Sequence, residues 1–295
     1  MRGLFDFEGE GRRAMGKLND FSLYVITGEN YHPGRAISEV MEEALQGGAD
    51  IVQLRDKTSS PQELLRKAQE LKALTRRYGV PLIINDHIEL AIEVEADGVH
   101  LGQEDLSLQE ARRLLGSSRI IGISTHAIEE ARAAELGGAD YIGVGPVYPT
   151  GTKPGVKPVT LDYVRQVAAE ITIPFVAIGG ITPGNVDDVL EAGAKRICAV
   201  SAIVGSSDVK GTARLLSERV RSSRGSVYAP KEIVVNGRPE TVTARTVDQL
   251  IARYGLQGRK LVVELDGYIV PQDEWAATQL FSGVKIELVH FVGGG

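Results

Sequence analysis

Short apolar runs recur along the first two thirds of the chain, each followed by a stretch whose apolar positions fall three and four residues apart. The runs are "LYVIT", "IVQLR", "PLIIN", "GVHLG", "IIGIS", "YIGVG", "PFVAIG" and "ICAVS". Rich in β-branched residues and nearly continuous in apolar character, they read as strands buried on both faces, as in a parallel sheet covered by helices. The stretches between them read as helices. In one, Leu64, Leu65, Ala68, Leu71, Leu74 and Tyr78 share a face. Start signals agree: Ser60, Pro61 and Glu63 make an N-cap, a first-turn proline and a capping box. Ser107 with Glu110 repeats the device, and "TPGN" at Thr182 to Asn185 offers a third start. "GGAD" at 47–50 and 137–140, "EADG" at 95–98 and "AGAK" at 192–195 close helices and open strands.

Strands alternating with helices fit a doubly wound sheet or a closed barrel. Eight repeats in about 200 residues predict a (βα)8 TIM barrel, at the compact end of that architecture. In either case ligands meet the carboxyl ends of the strands.

The pattern changes at "RSSRGSVYAP", Arg221 to Pro230, a small and polar stretch that reads as a linker. Beyond it, "EIVVNGRPETVTA" is a hairpin turning at Asn236-Gly237, and Thr246 with Gln249 caps a helix that ends at Gly255. "KLVVELDGYIV", turning at Asp266-Gly267, and a last strand "VKIELVHFV" follow. The order ββαββ suggests a small α+β ubiquitin-like β-grasp domain, with Trp275 as its packing anchor. The expected division is 1–17 as a flexible extension, 18–222 as the barrel, 223–231 as the linker and 232–295 as the β-grasp domain.

Composition narrows the function classes. A net charge of −6 argues against nucleic acid as a partner, and there is no apolar run long enough to span a membrane. One cysteine, Cys198, excludes an internal disulfide and points to the cytoplasm; it sits in an apolar strand and reads as inert core. The chain alone leaves room for a homo-oligomer.

The chemistry collects at the strand ends. In "QLRDK", alternation puts Gln53 and Arg55 on one face, aimed at the barrel mouth, with Lys57 in the loop beyond. Two cations this close suit a phosphate or diphosphate. Asn85 and Asp86 end the third strand, and "GQED" after the fourth ends in Asp105. Ser107 already caps the next helix, so Asp105 has no capping role, whereas Asp86 could cap the helix at His87 to Glu93. Two carboxylates facing cations suggest Mg2+ held partly by a diphosphate. "GPVYPTGTKPGVKPVT" follows the sixth strand, and its Thr150, Thr152 and Lys153 read as an anion-binding lid. Gly180 and Ser201, after strands seven and eight, are candidate phosphate contacts. Two anionic groups in one mouth describe a two-substrate transferase.

The ordered set "QLRDK", "ND", "HLGQED", "GISTH", "GPVYPTGTK", "AIGGI" and "VSAI" strongly resembles thiamine phosphate synthase from about Leu23 to Arg221. The resemblance implies joining of a hydroxymethylpyrimidine diphosphate to a hydroxyethylthiazole phosphate with release of diphosphate. It implies that Gln53, Leu54, Arg55, Asp56 and Lys57 contact the pyrimidine diphosphate, with Arg55 and Lys57 on its phosphates. Asn85 would assist the pyrimidine, Asp86 and Asp105 would bind Mg2+, and Ser124 and Lys153 would hold the diphosphate. Thr150, Gly151, Thr152, Gly180, Val200 and Ser201 would grip the thiazole phosphate. The family reaction is dissociative, so Arg55, Lys57 and Lys153 serve as electrostatic catalysts of leaving-group departure. His126 and His100 read as local hydrogen-bonding residues. Two rivals stay open: a thiazole tautomerase-like barrel and a non-catalytic sulfur-carrier scaffold.

From Glu232 to Gly295 the chain is similar to the sulfur carrier of thiamine thiazole synthesis, down to its ending "VHFVGGG". That likeness implies that the Gly295 carboxylate is adenylated and converted to a thiocarboxylate, with an adenylating enzyme and a thiazole synthase as partners. A run of glycines makes a thread thin enough to enter both active sites.

Overall fold

The computed structural model describes residues 21–151, 157–226 and 231–290, except 243, 245, 277, 279, 281 and 282. The extension expected at 1–17 lies outside the described residues. The chain divides into two compact units, Met1–Arg221 and Ser222–Gly295.

In the first unit the strands are β1 (Leu23–Ile26), β2 (Ile51–Leu54), β3 (Leu82–Asn85), β4 (Gly98–Leu101), β5 (Ile120–Thr125), β6 (Tyr141–Val144), β7 (Phe175–Ile178) and β8 (Ile197–Ala199). They close in sequence order, all parallel, with β1 pairing both β2 and β8. The helices between and after them are α1 (Ile37–Gln46), α2 (Pro61–Tyr78), α3 (Ile88–Glu93), α4 (Leu108–Leu115), α5 (Ile128–Leu136), α6 (Thr160–Glu170), α7 (Val186–Glu191), α8 (Ser201–Val204) and α9 (Val209–Ser226). This is the TIM barrel that the alternating pattern predicts.

Ser60 and Ser107 cap α2 and α4, each accepting from the amide three residues on, Glu63 and Glu110. "TPGN" makes the bonds of a start signal just ahead of α7: Thr182 Oγ1 accepts from Gly184 N at 3.2 Å, Thr182 N donates to Asn185 Oδ1 at 2.8 Å, and Thr182 O accepts from Val186 N at 3.1 Å, where the regular helix begins.

The end of the barrel opposite the strand carboxyl termini is tied by a repeated device. Asp50, Asp97 and Asp140, from the "GAD" and "EAD" signals, each precede an even-numbered strand. Their carboxylates accept from first amides of the strand before: Ser22 and Leu23 (2.7 and 3.1 Å), Leu82 (2.9 Å) and Ile121 (2.7 Å). Each carboxylate also meets a cation: Arg221, Lys72 and Arg112, at 3.0, 2.9 and 2.6 Å. Asp140→Ala leaves Ile121 N without its side-chain acceptor and Arg112 without its counter-ion, though Arg112 keeps its bonds to backbone carbonyls of Gly116, Arg119 and Gly138, and is expected to cost about 2–3 kcal/mol in a urea melt. Asp162→Ala, whose side chain is 89% exposed, is the control and stays within about 0.5 kcal/mol of the parent.

Inside the barrel, the side chain that glycine omits makes room for a ring. A Cβ on Gly122 would overlap the Tyr141 ring of the adjacent strand. Tyr141 is fully buried there.

The expected linker, 223–231, begins as helix: α9 continues through Ser226, and Lys231 already belongs to the next strand. Serine and arginine extend a helix once the preceding turns have nucleated it. The second unit holds β9 (Lys231–Val235), β10 (Arg238–Val242), α10 (Val247–Arg253), β11 (Leu261–Leu265), β12 (Tyr268–Val270) and β13 (Lys285–His290). Five strands rather than four give ββαβββ, because the Asp266-Gly267 turn adds the short β12. The sheet order is β10-β9-β13-β11-β12, with β13 parallel to β9 at the centre, as in a β-grasp. Asn236 and Gly237 both take positive φ (48° and 76°), the hairpin turn their pairing predicts. Thr246 caps α10 by accepting from Gln249 N at 3.3 Å. Trp275 is 7% exposed in the small core and donates from Nε1 to Val270 O at 3.0 Å.

Candidate active site

The carboxyl ends of the barrel strands surround a cavity of about 660 Å³. Gln53 and Arg55 line it, as alternation predicts, and so does Lys57 in the loop beyond. Gln53 is 2% exposed and its amide donates to Tyr24 Oη at 2.7 Å. Arg55 is pinned through its backbone, since Thr27 Oγ1 accepts from Arg55 N (2.9 Å) and donates to Arg55 O (3.0 Å). Leu54 and Asp56, expected at the substrate, are not among the lining residues. Leu54 packs into the barrel's outer core, and the Asp56 carboxylate pairs with Lys67 of α2 at 2.7 Å. Both follow from the same alternation: residues between the cavity-facing ones face the helices.

The ends of β3 and β4 supply an acidic wall. Asp86 is paired with Lys57 and accepts from the Asn85 amide, and Asp105 lies within its hydrogen-bonding reach. Asp105 Oδ2 also accepts from Gly102 N at 2.6 Å. Asp86 does not cap α3; His87 holds that position without a side-chain bond. Burial pushes the Asp86 carboxyl up, Lys57 opposes this, and the neighbouring Asp105 carboxyl pushes it further up. Two carboxylates in contact call for a cation to let both ionise. Among the described residues no group of three or more histidine, cysteine, aspartate or glutamate side chains is arranged to hold a metal. A pair of carboxylates fits Mg2+, which keeps several waters and takes further oxygens from a bound phosphate.

The floor of the cavity holds groups that sequence reasoning missed. Tyr24 Oη contacts Tyr141 Oη (2.9 Å), Tyr141 Oη contacts His100 Nδ1 (2.9 Å), and His100 Nε2 contacts Ser124 Oγ (2.9 Å). With Gln53 this makes one hydrogen-bonded chain across the barrel, its two ends exposed to the cavity. Burial pushes both tyrosines well above their usual range, so they act as fixed neutral dipoles. Alternation in "GVHLG" aims His100 inward and could have found it; the tyrosines are 117 residues apart and carry no such sign.

Strands β7 and β8 supply the remaining wall. Gly179 and Gly180 have φ of 101° and 65°, a conformation that side chains resist. Asn185 holds this turn, donating to Gly180 O at 2.9 Å. Val200, Ser201 and Thr150 also line the cavity. Gly151 does not, although a Cβ on it would sit 3.7 Å from Tyr31 Oη. Thr152, Lys153 and Gly295 lie outside the described residues. Cys198 borders the cavity instead of lying wholly in the core, and burial pushes its thiol far up, out of nucleophilic range. His126 also lines the cavity, with its backbone amide held by Glu130 at 2.7 Å.

The chain is similar to known proteins in both of its units. Residues 23–203 match the family model described as thiamine monophosphate synthase, and residues 233–295 match the ThiS family. Thiamine-phosphate synthase of Halalkalibacterium halodurans is 61% identical over 201 residues, 68% of this chain and 95% of that one. The enzyme of the same name from Shouchella clausii is 58% identical over 200 residues, again 68% of this chain and 96% of that one. The solved structure of thiamine phosphate pyrophosphorylase from Pyrococcus furiosus superposes with a TM-score of 0.64 at 36% identity, covering 71% of this chain and 98% of that one. No described helix is long and apolar enough to cross a membrane. The barrel makes this chain a member of the thiamine monophosphate synthase family, and a ThiS-family domain follows it in the same polypeptide.

Proposed function

We propose that the barrel condenses hydroxymethylpyrimidine diphosphate with hydroxyethylthiazole phosphate, forming thiamine phosphate and releasing diphosphate. The observation that carries this reading is a cavity with anion-binding groups on two sides of the barrel. Arg55 and Lys57 stand on the early strands beside two carboxylates, and the Gly179-Gly180 backbone with Ser201 stands on the late ones.

Arg55 and Lys57 bind the diphosphate and neutralise the charge that gathers on it as its bond to the pyrimidine methylene breaks. Lys153 has the same role from the loop after β6. Asp86 and Asp105 would hold Mg2+, which when bound would supply Lewis-acid neutralisation of the diphosphate. Gln53 and Ser124, fixed by the floor chain, offer hydrogen bonds to the edge of the pyrimidine, and Asn85 assists. Thr150, Thr152, Gly180, Val200 and Ser201 grip the thiazole phosphate and turn its ring nitrogen toward the methylene carbon. The nitrogen attacks with its own lone pair, so no side chain has to remove a proton first. Enclosure keeps water from trapping the electron-poor pyrimidine methylene.

The second unit is proposed to carry sulfur as a thiocarboxylate on Gly295, after adenylation, and to deliver it to a thiazole synthase. The two units would then act in sequence, one feeding sulfur into the thiazole that the other consumes.

Mixing the full-length protein with both phosphorylated substrates, with and without Mg2+, tests the barrel. Thiamine phosphate and diphosphate should form together and only with the metal. Thiazole isomerisation without metal would replace this reading with the tautomerase, and no reaction at all would leave the carrier scaffold. Mass spectrometry of the C-terminal peptide, after incubation with ATP, an adenylating partner and a sulfur donor, reads the thiocarboxylate.

A further inference from the structure

One acidic side chain stands between the two cations of "RDK", and it faces away from the cavity. The Asp56 side chain is 3% exposed and pairs through Oδ2 with Lys67 Nζ at 2.7 Å, the Lys67 side chain being 8% exposed. Lys67 Nζ also donates to Ser59 Oγ at 2.8 Å. Asp56 Oδ1 accepts from Thr58 N and Ser59 N at 2.9 and 3.0 Å, closing the turn that leads into α2. Burial opposes ionisation here, but Lys67 and the Thr58 and Ser59 donors outweigh it and hold the carboxyl well below its usual range. Lys67 lies on α2 next to Ala68 and one turn before Leu71, both fully buried, so the pair ties the loop to the packed face of the helix.

We infer that the buried Asp56–Lys67 ion pair positions Arg55 and Lys57 for the diphosphate, acting from the far side of the loop between β2 and α2. Two effects follow from its geometry. The first is orientation. Arg55 and Lys57 line the cavity while the Asp56 carboxylate between them faces α2, so holding Asp56 to the helix holds the backbone that presents its neighbours to the cavity. Arg55 is held from the other face as well, by Thr27. The second effect is electrostatic. A free carboxylate between Arg55 and Lys57 would swing to one of them and cancel its charge. Lys67 supplies a separate counter-ion and keeps that negative charge out of the cavity. A buried ion pair is a costly way to join a loop to a helix, and an apolar contact would serve stability at least as well. Direction is what the pair adds.

This inference rests on the reading that Arg55 and Lys57 receive the diphosphate, and the test separates the two. Binding of inorganic pyrophosphate to the full-length protein in Mg2+ buffer is measured by calorimetry, with the KM for each substrate and the melting temperature. The variants are Asp56→Asn, Lys67→Met and Arg55→Gln. Asp56→Asn keeps an acceptor for the Thr58 and Ser59 amides and loses only the charged tie to α2. In Asp56→Asn and Lys67→Met, pyrophosphate affinity should fall about tenfold, and the KM for the pyrimidine diphosphate should rise to match. The KM for the thiazole phosphate should not move. A pair that serves stability alone would shift both KM values together with the melting temperature, or neither, and either result overturns the inference. Should Lys67→Met fail to fold, the double variant Asp56→Asn/Lys67→Met removes both buried charges and is read in the same way. Unchanged pyrophosphate affinity in the pair variants, with weakened affinity in Arg55→Gln, overturns the inference alone. Unchanged affinity in Arg55→Gln as well removes the reading of the site, and the inference with it.

Discussion

Arg55→Gln is expected to lower kcat/KM for thiamine phosphate formation by about two to three orders of magnitude, with the melting temperature almost unchanged. Arg55 lines the cavity, and its backbone is tied to the barrel through Thr27. Glutamine keeps that backbone and most of the side chain's length, so the substitution removes charge without opening a cavity. Lys57 does not replace it, because its ammonium is already paired with Asp86. The loss should fall mainly on kcat if the charge acts as the diphosphate departs, and mainly on KM if it only holds the substrate. Steady-state kinetics with the pyrimidine diphosphate varied at saturating thiazole phosphate separates the two. A variant with parental kcat/KM would remove Arg55 from the reaction.

Gly122→Ala should lower stability by about 3 kcal/mol, or about 10 °C in the melting temperature. One methyl group is a small addition, but it would overlap the Tyr141 ring, which has no free space to enter. If the ring shifts, its hydroxyl leaves Tyr24 and His100 together, and buried polar groups lose their partners. Activity should fall in the same variant below its melting temperature, because His100 then loses the contact that orients it toward Ser124. Thermal and urea melts read the first effect and product formation the second. A variant that melts with the parent would show that the floor chain adapts, contrary to its packing.

Much of this was legible in the sequence, for physical reasons that differ from element to element. The eight strands were readable because a parallel strand covered on both faces must be apolar almost throughout. Ser60, Ser107 and Thr246 were readable as caps because an N-cap needs only a side-chain oxygen and an amide three residues on. Gln53 and Arg55 followed from alternation alone, and Lys57 from its place in the loop beyond them. Thr182 was readable on the same ground as the caps, its hydroxyl accepting from Gly184 N two residues on. Asp56 was not. Its neighbours in "RDK" look like one anion site, and nothing nearby in the sequence says which way the middle side chain turns. Its partner, Lys67, lies eleven residues on, inside a helix whose pattern reads as packing.

The barrel, the β-grasp domain and the strand ends where chemistry gathers can be read from the chain, because periodicity, caps and turns are properties of neighbouring residues. Which side chains meet follows from the folded arrangement: Tyr24 with Tyr141 and His100 across the barrel floor, Asp86 with Asp105, and Asp56 with Lys67. Barrel closure brings together residues from different strands, and a one-dimensional pattern holds no record of those distances. The same closure sets the burial of each charge. Burial in turn decides whether a carboxylate holds a metal, anchors a loop or ties down the end of a strand.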